Sequence, residues 1–378
     1  MELNGGITPA NGHGGPAPLH VLGQVLPAWP IATERVARAK RAYTTRNVPL
    51  DGPLTLLFGD ELEPEPGDLV LARVLEVGHH RRLELGDGRR AHLFPGDEVL
   101  VCYGDRYAPD QFEAEIPRHL LPCDLVAAGG VAAECLTRSA DVGEPTRIEP
   151  IGLLADGDGR RINIASTALV PAPRGLVPPP TFAAVGTGMN AGKSTMAASL
   201  VRGLVAAGLR VGAAKVTGTG AGPDVWLLKD AGADPVLDFT DAGYVSTYRV
   251  PPIELEGVVE LLTGRLTAAE VDCIVLEVAD GIYQPETAEL VASPAFVAAV
   301  DGVLFAARDA LGAAAGADWL TRAGLPVMAV GGRLTASSLA MRETAFATGL
   351  PVLGTEDLAD PDRAGELTVL DGPPGSVR

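Results

Sequence analysis

One segment limits the possible folds of this chain more than any other. An apolar run over 182–186 leads into Thr187-Gly-Met-Asn-Ala-Gly-Lys-Ser-Thr195, and an Ala- and Leu-rich stretch then extends to about Ala207. The order is therefore a strand, a glycine-containing loop and a helix. Glycines let such a loop curl so that backbone N–H groups point at phosphate oxygens, and the helix N-terminus adds partial positive charge. The segment predicts a phosphate-binding loop inside an α/β domain.

The loop also predicts the roles of individual side chains. We expect Lys193 to reach the β and γ phosphates of a nucleotide and Ser194 to ligate Mg²⁺. The strict pattern GxxxxGK[ST] requires glycine at position 187, where this chain has threonine between two glycines. A plain turn with a solvent-exposed lysine is the alternative, and the strand–loop–helix context favours the phosphate loop. The predicted cofactor-binding residues in the loop are Gly188, Met189, Asn190, Ala191, Gly192, Lys193, Ser194 and Thr195.

Local composition divides the 378 residues into four parts. Residues 1–30 begin with a Gly- and Pro-rich stretch and are predicted to be a flexible tail, followed by a β-rich domain over 31–170. Residues 171–180 contain prolines that fix φ and remove backbone donors, which predicts a stiff linker. Residues 181–378 are predicted to form the nucleotide-binding domain.

The two domains have different strand patterns. The first domain has short β-type runs with turn residues roughly every 8 to 12 positions. This spacing predicts a small barrel or sandwich. In the second domain, apolar runs alternate with helical stretches, which predicts an α/β fold with a parallel sheet and flanking helices. The strands predicted there are 181–186, 210–216, 272–278, 302–306, 327–330 and 351–354.

Charge and cysteine content exclude several classes of protein. With 30 Lys and Arg against 48 Asp and Glu, the formal net charge of −18 argues against general binding to nucleic acids or anionic membranes. The four cysteines form no CxxC pair, and the N-terminus lacks the pattern of a signal peptide. We therefore expect a cytoplasmic protein whose partner is a small-molecule substrate.

The motifs resemble those of a known group of proteins. The loop Gly186-Thr-Gly-Met-Asn-Ala-Gly-Lys-Ser194 resembles the GT-x-x-x-x-GK-[ST] loop of the dethiobiotin synthetase-like branch of P-loop NTPases. It is also similar to the P-loop family that contains D-glutamate N-acetyltransferase. The resemblance covers about 181–358 and nothing before the linker. Members of the branch commonly form dimers with sites near the interface, so the resemblance implies a homodimer.

The resemblance implies further site residues. The strand that begins at Val211 is similar to one whose lysine and small polar residues enter the substrate and phosphate region, which makes Lys215, Thr217 and Thr219 candidates. This chain has Val216 where the family lysine is followed by proline. The run Ile274-Val-Leu-Glu-Val-Ala-Asp-Gly281 is similar to the Walker B strand, which implies Mg²⁺-binding roles for Glu277 and, second, for Asp280.

Other candidates come from the residues alone. Asp238 and Asp241 lie in a polar stretch that is predicted to line a substrate pocket. Arg333 follows a strand, where it either stacks on a purine or contacts phosphate, or is a solvent-exposed arginine at the start of a helix. Asp224 is predicted to be the N-cap of the following helix. The run His79-His80-Arg81-Arg82 is predicted to be a solvated hairpin rather than a metal or phosphate site, because no ligand cluster surrounds it in sequence. The solvated face of a helix is predicted for five basic residues, Arg35, Arg38, Lys40, Arg41 and Arg46.

These features favour an enzyme that uses ATP and Mg²⁺ to phosphorylate or activate a small molecule, as a kinase or ligase does. The predicted catalytic residues are Lys193, Lys215 and Glu277. The guanine-reading pattern Asn-Lys-x-Asp is absent from the sequence, which favours ATP over GTP. Two alternatives stay open: an acyltransferase whose loop binds the phosphates of acetyl-CoA, and a nucleotide-dependent switch whose β-rich domain binds a partner protein.

Overall fold

The computed structural model describes residues 17–21, 24–59 and 61–368 of the chain. The part of the first half that it describes is built almost entirely of short strands. In chain order its elements are β1 (Ala17–Val21), β2 (Gln24–Ile31), α1 (Thr33–Arg38), β3 (Lys40–Arg41), β4 (Leu54–Leu57), β5 (Leu69–Glu76), β6 (Arg82–Glu84), β7 (Arg90–His92), β8 (Glu98–Tyr103), β9 (Arg106–Tyr107), β10 (Phe112–Glu115), β11 (Cys123–Ala127), β12 (Val131–Arg138) and β13 (Thr146–Asp156).

Five of these strands close into a barrel. The pairing runs from β13 through β5, β8, β12 and β11 back to β13. Alternate residues along β5 and β8 pack into different apolar clusters, with Val70 and Val101 on one face and Leu71 and Leu100 on the other. Successive side chains of a strand point to opposite faces, so the barrel wall is buried on both sides. Of the two predicted architectures, barrel and sandwich, the structure has the barrel.

The N-terminal boundary of the β-rich part differs from the predicted one. β1 and β2 form an antiparallel hairpin, and β2 continues the sheet by pairing with β4. The predicted flexible tail over 1–30 therefore contains two paired strands, while residues 1–16 lie outside the described residues. The predicted linker over 171–180 has no helix or strand.

The second half alternates strands and helices. Its elements are β14 (Thr181–Gly186), α2 (Lys193–Ala206), β15 (Val211–Lys215), α3 (Pro223–Asp230), β16 (Val236–Asp238), α4 (Pro252–Ala268), β17 (Cys273–Glu277), α5 (Pro285–Val291), α6 (Pro294–Ala299), β18 (Gly302–Ala306), α7 (Ala310–Arg322), β19 (Val327–Gly331), α8 (Ser338–Thr348), α9 (Thr355–Ala359) and α10 (Pro361–Thr368). Residues 369–378 of the predicted domain lie outside the described residues. No helix in the described part of the chain is long and apolar enough to cross a membrane.

The six strands of the second half form one parallel sheet in the order β16-β15-β17-β14-β18-β19. Along β14, Phe182 and Ala184 pack against the helices of one face, and Ala183 and Val185 against those of the other. Burial on both faces explains the uninterrupted apolar runs in the sequence. The predicted P-loop α/β fold is confirmed, but the sixth strand is β16 rather than 351–354, which forms only an isolated bridge between Val330 and Val352.

A group of polar residues joins the two halves, and we call it the interface cluster: Tyr43, Arg46, Asn47, Asp238 and Asp241. The Tyr43 hydroxyl donates to Asp238 at 2.7 Å, and Arg46 lies 2.8 Å from an Asp241 oxygen and 3.3 Å from one of Asp238. The Asn47 amide donates to Asp241 at 2.6 Å. Asp238 is fully buried, so its charge depends on these partners.

Candidate functional site

The loop between β14 and α2 has the backbone geometry that the glycines predict. Gly192, directly before α2, has a φ of 106° in the left-handed region, and a Cβ atom there would lie 2.9 Å from Cα of Gly332. Only glycine fits this close approach without strain. The N-terminus of α2 therefore opens into the loop, where its free N–H groups favour anions.

Lys193, the first residue of α2, folds back over the loop. Its Nζ donates to the carbonyl of Gly188 at 2.8 Å and to the carbonyl of Asp280. Burial lowers the pKa of Lys193, and the negative charges of Glu277 and Asp280 oppose that effect. The ammonium group therefore lies at the loop, which is the position required for the phosphate-binding role predicted from the sequence.

Ser194 and Glu277 meet because their elements are neighbours. β17 pairs with β14 directly, and Glu277 is its last residue. The Ser194 hydroxyl donates to Oε1 of Glu277 at 2.5 Å, whereas Oε2 is buried and has no hydrogen-bond partner. Burial, and then the nearby charge of Asp224, raises the pKa of Glu277 to about 7. A buried, unpartnered carboxylate oxygen has a large desolvation cost unless a cation accompanies it.

Lys215 ends β15 and forms an ion pair with Asp224. Burial opposes the charge of Lys215, but Asp224 and then Glu277 outweigh it and raise the pKa. The prediction that Asp224 is an N-cap is wrong: α3 begins at Pro223, its N-cap is Gly222, and the Asp224 side chain faces Lys215. Sequence reasoning therefore missed an acidic residue of the site.

These groups share one cavity of about 880 Å³ at the carboxyl edge of the parallel sheet. In open α/β sheets, ligands bind at this edge. Of the predicted residues, Gly188 contributes its carbonyl to Lys193 and Ala191 is fully buried within the loop. The residues that line the cavity are Met189, Asn190, Gly192, Lys193, Ser194, Thr195, Lys215, Asp224, Glu277, Ala279, Asp280, Arg308 and Arg333.

A second cavity of about 580 Å³ adjoins the first. The two share Met189, Lys215, Asp224, Ala279 and Asp280 as lining residues. Its other residues come from both halves of the chain, including the predicted candidate Thr219 and the basic residues Arg81, Arg82, Arg90 and Arg106.

The run His79-His80-Arg81-Arg82 is thus not simply a solvated hairpin. His80 is buried, with Nε2 2.8 Å from the carbonyl oxygen of Val126, and the two arginines are exposed at the rim of the second cavity. The surroundings of this segment depend on strand pairing and on the docking of the second half. Neither can be predicted from the local sequence.

Three predicted substrate residues lie elsewhere. Asp238 and Asp241 belong to the interface cluster, so the structure does not support their assignment to a substrate pocket. The Thr217 hydroxyl is buried and donates to the carbonyl of Ala279, which makes it a support for the loop before Asp280 rather than a cavity residue.

The donor set suits a magnesium ion held together with phosphates. Among the described residues, no group of three or more His, Cys, Asp or Glu side chains could hold a metal by itself. Mg²⁺ is usually bound through one or two carboxylates together with substrate phosphates. Ser194 Oγ and the unpartnered Oε2 of Glu277 fit that arrangement.

Comparisons with known proteins add little beyond this geometry. No family model and no curated protein sequence matches the chain. Among solved structures, the signal recognition particle receptor FtsY from Elizabethkingia anophelis, in complex with GDP, matches at 16% identity and a TM-score of 0.36, covering 52% of this chain and 63% of that one. A DUF1611 family protein from Anabaena variabilis matches at 16% identity and a TM-score of 0.36, covering 52% and 62%.

A nucleotide-binding protein from Archaeoglobus fulgidus, in complex with ADP, matches at 14% identity and a TM-score of 0.33, covering 50% of this chain and 88% of that one. Structural matches at this low identity and TM-score do not indicate what the chain binds. The strand–loop–helix geometry and the parallel sheet of the chain itself establish the P-loop fold of its second half.

Proposed function

We propose that this protein is an enzyme that uses ATP and Mg²⁺ to phosphorylate or activate a small molecule. The observation that carries the proposal is the convergence of Lys193, Ser194, Lys215 and Glu277 on one cavity. A second cavity opens beside it and shares the wall that contains Asp224 and Asp280. Two adjoining cavities suit a nucleotide and a second reactant better than a nucleotide alone.

Magnesium binding is assigned to Ser194 and Glu277. The hydroxyl of Ser194 and the buried Oε2 of Glu277 provide oxygen ligands next to the loop. Bound there, the ion would offset negative charge on the phosphates. Asp280, the second candidate ligand, lines both cavities, and burial raises its pKa. We therefore favour Asp280 as the acceptor of the proton that the attacking group of the substrate loses.

The two lysines supply fixed positive charge. Lys193 is held at the loop by two carbonyl groups, and Lys215 is part of the wall that the two cavities share. Preorganised cations of this kind stabilise the charge of a transferring phosphoryl group or of an acyl phosphate. Asp224 keeps Lys215 charged and oriented before a nucleotide binds. By resemblance to the dethiobiotin synthetase-like branch, we also propose a homodimer, and from the cysteine content we propose that it is cytoplasmic.

Calorimetric titration tests the proposal. MgATP, MgGTP and acetyl-CoA are titrated into the wild type, Lys193→Ala and Lys229→Ala, where Lys229 is an exposed lysine on α3 that lines neither cavity. We expect MgATP to bind the wild type and Lys229→Ala equally. Loss of one charge-assisted contact predicts about 10- to 100-fold weaker binding to Lys193→Ala. A screen of small molecules for ADP release would follow.

Other results have definite meanings. Binding of acetyl-CoA in place of ATP would change the reaction to acyl transfer at the same loop. Equal binding of MgATP to the wild type and Lys193→Ala would contradict the site assignment. ATP hydrolysis that only a partner protein stimulates would favour a nucleotide-dependent switch.

A further inference from the structure

The second cavity contains a buried cation without an anionic partner. Arg106 lies on β9 at the edge of the barrel sheet, and only 6% of its surface is exposed. Among the residues that the structure describes, no carboxylate forms an ion pair with it, and its Nε has no hydrogen-bond acceptor. Arginine is rarely buried in proteins unless it is paired, so this guanidinium calls for a ligand.

The contacts that Arg106 does make are neutral. Its Nη2 donates to Oε1 of Gln111 at 2.8 Å, and its Nη1 lies 3.0 Å from Nε2 of His80. That ring nitrogen is also 2.8 Å from the carbonyl oxygen of Val126. A guanidinium can only donate and a carbonyl can only accept, so one ring nitrogen cannot satisfy both groups. The neutral ring of His80 carries no negative charge in either tautomer, so His80 does not compensate the charge of Arg106.

Further positive charge surrounds the same space. Arg81, Arg82 and Arg90 line the second cavity with exposed side chains, and the structure gives them no ion-pair partner among the residues it describes. Four arginines around one cavity stand out in a chain whose formal net charge is −18. The wall that the two cavities share contains Asp224, Asp280 and Lys215, and Lys215 forms an ion pair with Asp224. The cavity thus has its excess of positive charge at the end away from the phosphate loop.

We propose that the second cavity binds a carboxylate group of the small-molecule substrate and that Arg106 is the residue that recognises it. The assignment rests on the proposed function only in calling the ligand a substrate. The buried charge of Arg106 favours an anionic ligand over a neutral one. A guanidinium is also planar and can donate two parallel hydrogen bonds to the two oxygens of a carboxylate.

This orientation limits the class of substrate. With its carboxylate at Arg106, the molecule extends toward Lys215, Asp224 and Asp280, where the reacting group meets the nucleotide cavity. The substrate is therefore a small molecule with a carboxylate at one end and a hydroxyl, amine or second carboxylate at the other. Burial, partly offset by Asp280, lowers the pKa of Arg106 to about 10, so its charge persists at neutral pH.

The experiment measures carboxylate binding without nucleotide. The straight-chain dicarboxylates from oxalate to adipate, their uncharged diamides and inorganic phosphate are titrated into the full chain by calorimetry. The variants are Arg106→Gln, Arg106→Lys and the control Arg160→Gln, whose arginine pairs with Asp158 on an exposed turn. We expect at least one dicarboxylate to bind and its diamide not to bind. Loss of a charged hydrogen bond predicts about 10- to 100-fold weaker binding in Arg106→Gln, an intermediate effect in Arg106→Lys and no change in the control.

Several outcomes would overturn the proposal. The first is that no dicarboxylate binds the wild type saturably. The second is that a dicarboxylate binds the wild type and Arg106→Gln equally well, and the third is that phosphate binds more tightly than every dicarboxylate. If Arg106→Gln fails to fold, Arg106→Lys and the exposed-site variant Arg90→Gln take its place, with weaker dicarboxylate binding expected in both. MgATP binding to Lys193→Ala is measured separately, so carboxylate binding without ATP binding would reject the proposed function and leave this site standing.

Discussion

At the scale of single residues, Glu277 has the least satisfied position in the site. Its Oε2 is buried without a partner, beside a hydroxyl that already donates to Oε1. Replacement by glutamine keeps the shape and removes the charge that we assign to Mg²⁺. In Glu277→Gln we expect ATP binding to respond less to Mg²⁺, because the affinity of the site for Mg²⁺ falls. Loss of a metal-site partner lowers that affinity by ~10- to 100-fold or more.

The measurement is calorimetric titration of ATP over a series of Mg²⁺ concentrations. Glu289→Gln, on the exposed side of α5, is the matched control and should behave as the wild type does. An unchanged Mg²⁺ dependence in Glu277→Gln would remove Glu277 from the metal site.

His80 makes a separate prediction about pH and stability. Burial, and then the charge of Arg106, lowers the pKa of His80 from 6.5 to about 3 in the folded chain. Between these values the unfolded chain binds a proton that the folded chain does not. The free energy of unfolding therefore falls as the pH falls through this range, by up to about 1.4 kcal/mol per pH unit from this residue.

Between about pH 7 and about pH 5, we expect the free energy of unfolding to fall less in His80→Gln than in the wild type. The variant lacks the imidazole whose protonation in the unfolded chain causes part of that fall. Urea unfolding at both pH values measures it, and the exposed residue His92, replaced by Gln, is the control. Equal losses in wild type and His80→Gln would show that His80 is not held neutral by its surroundings.

At the scale of elements, the junction of the phosphate loop with α2 is the most constrained point. Gly192 combines a left-handed φ with a close approach to Gly332. We expect Gly192→Ala to destabilise the fold by about 1–3 kcal/mol through backbone strain, with a further contribution from the contact with Gly332. Gly188 has open space at its Cβ position, so Gly188→Ala should leave stability almost unchanged. Urea unfolding of both variants checks this, and equal stabilities would contradict it.

The order of the strands explains why the site residues converge. β17 lies between β14 and β15, so the ends of these three strands place Glu277 beside both the phosphate loop and Lys215. All pairs are parallel, which brings their carboxyl ends to the same edge.

At the scale of the whole molecule, the interface cluster connects the barrel to the P-loop half. Removing Arg46 would leave the fully buried Asp238 and the largely buried Asp241 without their cation. We expect Arg46→Ala to cost about 3–5 kcal/mol of stability, as breaking a buried ion pair does. Arg363, exposed and paired with Asp357, is the control, and Arg363→Ala should cost less than about 1 kcal/mol. Similar costs for the two variants in urea unfolding would contradict the role of the cluster.

Local pattern was sufficient to predict the phosphate loop, five of the six parallel strands and the β-rich character of the first half. Each depends on interactions between near neighbours in sequence: a glycine loop before a helix, or an apolar run long enough for a buried strand. The strand β16 was not predicted because it is short and only partly apolar, and its place at the sheet edge depends on its partner β15.

Only the tertiary structure decided the roles of Asp224, Arg46, His80 and Arg106. Asp224 had the sequence context of a helix cap, and Arg46 that of a solvated face. In the structure Asp224 instead forms an ion pair with Lys215 at the end of the preceding strand, and Arg46 pairs with Asp241 in the other half of the chain. The second cavity exists only because the barrel and the P-loop half each supply part of its wall. Sequence pattern determined which elements form, since that is local physical chemistry. Docking determined which charges are buried and which remain unpaired, because burial depends on chain segments far apart in sequence.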